Sequence, residues 1–225
     1  MTFSIVGRCE RTGQLGIAIS SSSIAVGARC PWVRAGVGVV ATQNVTLPAL
    51  GPRILDHMES AKLDPAAALD RALGESEWSE YRQVTVVDAQ GRIAFFSGKQ
   101  ALGTYHAVAG KQCAAAGNML SGLHVIEAMI PAFESASGHL ADRLLAAMHA
   151  ALAAGGEAGP VHSAALKIAG EQSWPLVDLR VDWADDNPIG KLDGLWQAYQ
   201  PQMQDYVTRA LNPTAAPSYG VPGDE

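Results

Sequence analysis

Basic residues are scarce in this 225-residue chain. Sixteen lysines and arginines against 22 acids leave a formal net charge of −6. No basic stretch carries interleaved aromatics, so nucleic acid is excluded as an expected partner. Cysteine is scarcer still. Cys9, Cys30 and Cys113 are odd in number, scattered and without a C-x-x-C pair, which argues against a disulfide framework and a cysteine zinc site. Sparse unpaired cysteines suit a reducing cytoplasm, the expected compartment. There is no run of about eighteen apolar residues to span a membrane. A basic segment leading into an apolar core, as in a signal peptide, is also missing. Neither G-x-x-x-x-G-K-[ST] nor a strand-linked G-x-G-x-x-G occurs, and the six histidines form no H-E-x-x-H and no i, i+4 pair. No cofactor is therefore expected. Asp178, Asp182, Asp185 and Asp186 could hold a divalent ion through oxygen ligands, or they could be strand-end charges together with an N-cap for the last helix.

What the chain does contain fits a single domain over residues 1–211, followed by a Pro/Gly-rich tail, 212–225, of the kind that stays disordered. Residues 2–8 (TFSIVGR) and 14–20 (QLGIAIS) alternate in the period of a strand, and the turn residues between them make a hairpin. Further strands are expected at 37–42, 83–87, 92–97, 105–110, 113–117, 163–169 and 177–183. Helices are expected at 50–61, 64–73, 122–135, 140–153 and 188–211. Asp64-Pro65 supplies a cap and a first-turn proline for the second helix. Helices arriving in pairs between hairpins favour antiparallel sheets over βαβ alternation, hence an α+β fold.

Thr2 stands directly behind the initiator methionine and opens the first strand. Methionine is commonly removed before a small residue, so the mature chain is expected to begin at Thr2. A terminal threonine carries a hydroxyl nucleophile and its own α-amine, which titrates near ~7.7–8 and can accept the hydroxyl proton. Many chains begin Met-Thr for processing reasons alone, so the feature gains weight only from the residues that come after it.

The order of nucleophile, hairpin, small-residue turn (Ser20–Ser23), basic residue and Gly-rich strand resembles the start of N-terminal-nucleophile (Ntn) hydrolases, notably the proteasome β subunit and its bacterial relative. The phrases AVGARCPWVRAGVGVVATQ, GPR, YRQVTVVDAQGR, AAGNMLSG and DLRVDWADDNPI, together with TFSIVGR, resemble an uncharacterised bacterial family of the Ntn superfamily, from residue 2 to about 195. The resemblance implies a four-layer αββα sandwich of two antiparallel sheets and a hydrolytic site built on Thr2. It also places a cation at Arg34, 32 positions on, where the proteasome-like pattern has its lysine. A cation there would depress the amine pKa; otherwise Arg34 is a surface charge at a strand start. In proteasome-like proteins a Gly/Ser loop closes around the amine, which points here to Gly117, Asn118, Ser121 and Gly122, although Asn118 could equally be a left-handed turn residue. Gln43 and Asn44 follow a strand of small residues and could supply oxyanion donors, or could be plain loop polarity. One departure is clear: no carboxylate occurs between Gly13 and Asp56, so the aspartate usual beside the amine is missing.

Three functions are compatible with these residues. The chain could be an amidohydrolase that cleaves a small-molecule amide through Thr2, with Arg34 and Asn118 in its catalytic group. It could be a proteasome-like threonine peptidase. It could also be a non-catalytic binding protein on the same fold. The expected assembly is a homodimer.

Overall fold

The computed structural model describes residues 1–222; residues 223–225, the end of the expected tail, lie outside the described residues. The chain opens with the hairpin β1 (Thr2–Arg8) and β2 (Leu15–Ser21), then β3 (Pro31–Arg34), β4 (Gly38–Asn44), α1 (Leu50–Ser60) and α2 (Pro65–Gly74). Next come β5 (Arg82–Asp88), β6 (Ile93–Ser97), β7 (His106–Gly110), β8 (Cys113–Asn118), α3 (His124–Ser135) and α4 (Leu140–Ala153). The chain closes with β9 (Ser163–Ala169), β10 (Pro175–Val181), α5 (Pro188–Tyr199) and α6 (Met203–Leu211). Among the described residues no helix is long and apolar enough to cross a membrane.

Alternation along β1 creates two cores. Phe3 and Ile5 point to one side and pack with α3 and α4 residues such as Ile126, Met129, Phe133 and Leu144. Val6 points to the other, with Ile17 and Ile19 of β2, and meets Val39 and Ala41 of β4. A third cluster lies under α1 and α2, where Ile54, Leu55 and Leu69 cover Val40, Val84 and Val86. A side chain of this size buried completely contributes roughly 1.5–3 kcal/mol. The layers are therefore helix pair, sheet, sheet, helix pair, with α5 alongside β9 and β10. The first sheet has the order β10-β9-β2-β1-β8-β7 and the second β3-β4-β5-β6, and all pairings are antiparallel. This is the αββα sandwich expected. β1 lies inside the six-stranded sheet, so Thr2 begins a central strand.

Two elements differ from expectation. The turn before β4 holds the short strand β3, whose first residue is Pro31; it is an edge strand, the position where a missing N–H costs no ladder bond. The long closing helix is in fact two, because Pro201 lies in a 3-10 turn, Gln200–Gln202, between α5 and α6. The cap of α5 is Asn187, whose side chain accepts from the Gly190 N–H at 3.0 Å; none of the four aspartates fills that role.

Candidate active site

Thr2 is only 6% exposed. It sits opposite Ser21 on β2 and Asn118 on β8, and cross-strand partners share a face, so all three side chains point into the space between the sheets. The Thr2 hydroxyl donates to the Met1 carbonyl at 2.5 Å and lies 3.2 Å from Ser21 Oγ. Ser21 Oγ donates to the same carbonyl at 2.5 Å. Two hydroxyls thus converge on the carbonyl that precedes the threonine.

Beneath Thr2 runs a chain of buried amides. Ser4 Oγ donates to Gln43 Oε1 at 2.7 Å, and Gln43 Nε2 donates to Gln83 Oε1 at 2.8 Å. Asn118 Nδ2 donates to the same Gln83 oxygen at 3.1 Å. The Gln83 amino group donates to Ser97 Oγ, the His106 carbonyl and the Gly117 carbonyl. Ser4, Gln43, Gln83 and Asn118 are each at most 1% exposed, where unmade hydrogen bonds would be costly, and the network ties both sheets together below Thr2. Asn118 Oδ1 is buried and has no partner.

Glu157 closes the end of β1. It follows α4 in the loop AAGGEAGP, where Gly155 and Gly156 take φ values of +107° and +58° that turn the chain back toward the sheet. Glu157 bridges to Leu120, and the Ser22 N–H donates to its Oε2 at 3.2 Å. Ser22 follows Thr2's partner on one side and Leu120 lies just past its partner on the other, so Glu157 spans the start of the strand. It is 5% exposed, and its Oε1 is buried without a partner. Burial pushes its pKa up to about 8, against the lowering influence of the positive chain terminus and the Ser22 N–H. A carboxyl group from far along the chain thus stands at the start of β1. No sequence spacing marks this residue; its signal is only a lone acid in a glycine-rich loop. Gln83, the hub of the network, was likewise hidden within an ordinary strand pattern.

The other expected site residues separate. Arg34 is not brought to Thr2. It pairs with Gly38, five residues along β4 from Gln43, roughly 16 Å at strand rise, and its guanidinium binds Asp56 at 2.8 Å and Glu59 at 2.6 Å on α1. Asn44, with φ 71°, anchors loops instead of facing the site: Nδ2 donates to the Tyr81 carbonyl and Oδ1 accepts from the Leu102 N–H. Gln43 spends its amide within the network. The Gly117 carbonyl receives Gln83, and a Cβ on Gly117 would meet Leu120 at 2.7 Å. Ser121 Oγ donates to the Gly156 carbonyl, fastening the Glu157 loop. The left-handed residue after β8 is Met119, with φ 49°, and Asn118 remains in the strand. The aspartates are dispersed: Asp178 pairs with Lys167, Asp186 with Lys191, and Asp185 accepts from Trp183 Nε1. Among the described residues no group of three or more metal-ligating side chains converges.

A family model described as "Family of unknown function (DUF1028)" matches residues 2–192. A crystal structure of a protein from Silicibacter pomeroyi assigned to the same family superposes with a TM-score of 0.82 at 31% identity, over 88% of this chain and 89% of that one. Anbu (ancestral beta-subunit) from Yersinia bercovieri gives a TM-score of 0.43 at 11% identity, over 97% and 100% of the two chains. Anbu from Hyphomicrobium sp. strain MC1 gives 0.43 at 12% over the same shares. No curated protein sequence matches the chain significantly.

Proposed function

Because this chain belongs to the DUF1028 family, a family of unknown function, its chemistry has to be argued from the site, and we propose that it is an amide hydrolase whose nucleophile is Thr2 after removal of Met1. The observation that carries the reading is the burial of the Thr2 hydroxyl at the start of a central strand, in contact with Ser21 and over a polar network that links the two sheets. In this reading the free α-amine accepts the hydroxyl proton as Oγ attacks the substrate carbonyl. The tetrahedral intermediate then collapses, the leaving amine takes the proton from the ammonium, and an ester remains on Thr2. Water, deprotonated by the same amine, hydrolyses the ester and restores the site. Asn118, next to Thr2 and with an unpartnered oxygen, orients the amine. Arg34 has no part in this scheme.

Intact mass of protein from its native host, followed by a panel of small amides and ureido compounds, tests the proposal. Thr2→Ala should remove several powers of ten of any turnover, at least about 10³-fold, with the fold intact; near-full turnover in that variant, or a retained Met1, overturns it. A second reading is favoured by one observation: with Met1 in place, the hydroxyls of Thr2 and Ser21 are both satisfied on its carbonyl. A chain that keeps Met1 is a binding protein on this fold.

A further inference from the structure

We infer that Glu157 is the positioning residue for the Thr2 α-amine, a buried carboxyl group that orients it and, where ionised, stabilises the ammonium formed when it takes the hydroxyl proton. The inference rests on the reading of Thr2 above. Its geometric basis is the place of Glu157 at the open end of β1, between Ser22 and Leu120. One carboxylate oxygen is held by the Ser22 N–H, and the other is buried and makes no bond. A buried carboxylate without a second partner is costly, and the positive group acting on Glu157 in the described chain is the Met1 α-amine, one residue ahead of the Thr2 nitrogen.

Apart from Ser22, whose N–H and side chain both act on the carboxyl group, the surrounding groups offer no positive partner. A cavity of about 390 Å³ borders Glu157 on its outer side, lined by Leu152, Gly159, Pro160 and Val161 and by Asp185 and Asp186, with no lysine or arginine among its lining residues. Asp186 is paired with Lys191 at 2.6 Å. His162 stacks on Trp183 and is held by the Ala184 carbonyl. Because Ser22 donates to a carboxylate oxygen, Glu157→Gln can keep that hydrogen bond through its amide oxygen while removing the charge. The variant therefore separates a purely structural role from an electrostatic one.

The test uses 4-nitrophenyl acetate as acyl donor on the full chain. In wild type, Thr2 Oγ displaces 4-nitrophenolate and carries the acetyl group as an ester that hydroxylamine removes; acetylation of the amine itself survives hydroxylamine. Acylation is followed by mass spectrometry against pH, and thermal melting checks the fold. Where Glu157 is ionised, its opposite charge favours the ammonium over the free amine. Glu157→Gln should slow ester formation at least about tenfold and move the inflection of its pH profile down by about one unit. Should Glu157→Gln fail to fold, Glu157→Asp keeps the charge farther from the amine and should show a smaller shift in the same direction. An unchanged rate and inflection in a folded variant overturns the role of Glu157 and leaves Thr2 standing. Absence of any hydroxylamine-labile acetyl on wild-type Thr2, or a retained Met1, overturns the Thr2 reading and the Glu157 role with it.

Discussion

Burial of Glu157 has a consequence for stability that can be signed from one residue. Its pKa is raised from 4.5 to about 8 in the folded chain. Between those values the folded state holds a proton that the unfolded state has released, so stability is greatest at low pH and declines as pH rises through the window. The size is on the order of a few kcal/mol. Urea unfolding at pH 5 and pH 8 should show the decline in wild type and a flatter dependence in Glu157→Gln, with the variant the more stable protein at pH 8; parallel curves would show that Glu157 does not carry it. At this scale the sequence is only partly readable. Thr2, Gln43 and Asn118 stand out as polar residues at the ends of strand patterns, and the structure brings them, with Ser4, into the space between the two sheets. Arg34 was suggested by an offset along the chain, but an offset does not encode the direction of a side chain, and Asp56 and Glu59 on α1 hold it elsewhere. Glu157 reaches Ser22 and Leu120, beside the start of β1, through loop closure across most of the chain, which local pattern cannot announce.

Among the elements, α1 offers the sharpest test of packing against propensity. Gly51 lies in its first turn, and a Cβ there would stand 2.1 Å from Trp32 Cδ1 and 2.2 Å from Cγ on β3. Alanine in place of glycine ordinarily gains about 1 kcal/mol in a helix. Here the overlap with the Trp32 ring should outweigh that gain, and Gly51→Ala is expected to destabilise by roughly 1–3 kcal/mol, read as a lowered melting temperature. A raised melting temperature would mean that the β3–α1 contact yields easily. The same contact explains why β3 escaped the sequence reading. It is four residues long and begins with proline, and it exists because β4 pairs with it and α1 covers Trp32. The break between α5 and α6 was foreshadowed by Pro201, yet the apolar spacing on either side reads as one helix.

For the whole molecule, the described part of the C-terminal segment contributes nothing to the cores. Residues 212–222 include no buried position, and α6 buries none either. Arg209 nevertheless stacks on Tyr219 at 3.8 Å, an exposed contact of about 0.5–1 kcal/mol. A chain ending at Leu211 should therefore melt within a few degrees of the full chain; a large drop would assign the segment a structural role. Light scattering of the same preparations tests our proposal that the protein is a homodimer, expected at twice the 23.5 kDa chain mass. What the sequence by itself determined is the set of elements and their faces, because periods of two and 3.6 are local consequences of strand and helix geometry. The pairing of helices between hairpins, read with the family resemblance, extended this to the layer order. Only the tertiary structure decided which residues gather around Thr2. Ser21, Asn118, Gln83 and Glu157 come from separate segments, and their meeting depends on strand register and on how two glycines after α4 turn the chain, which are properties of the packed whole.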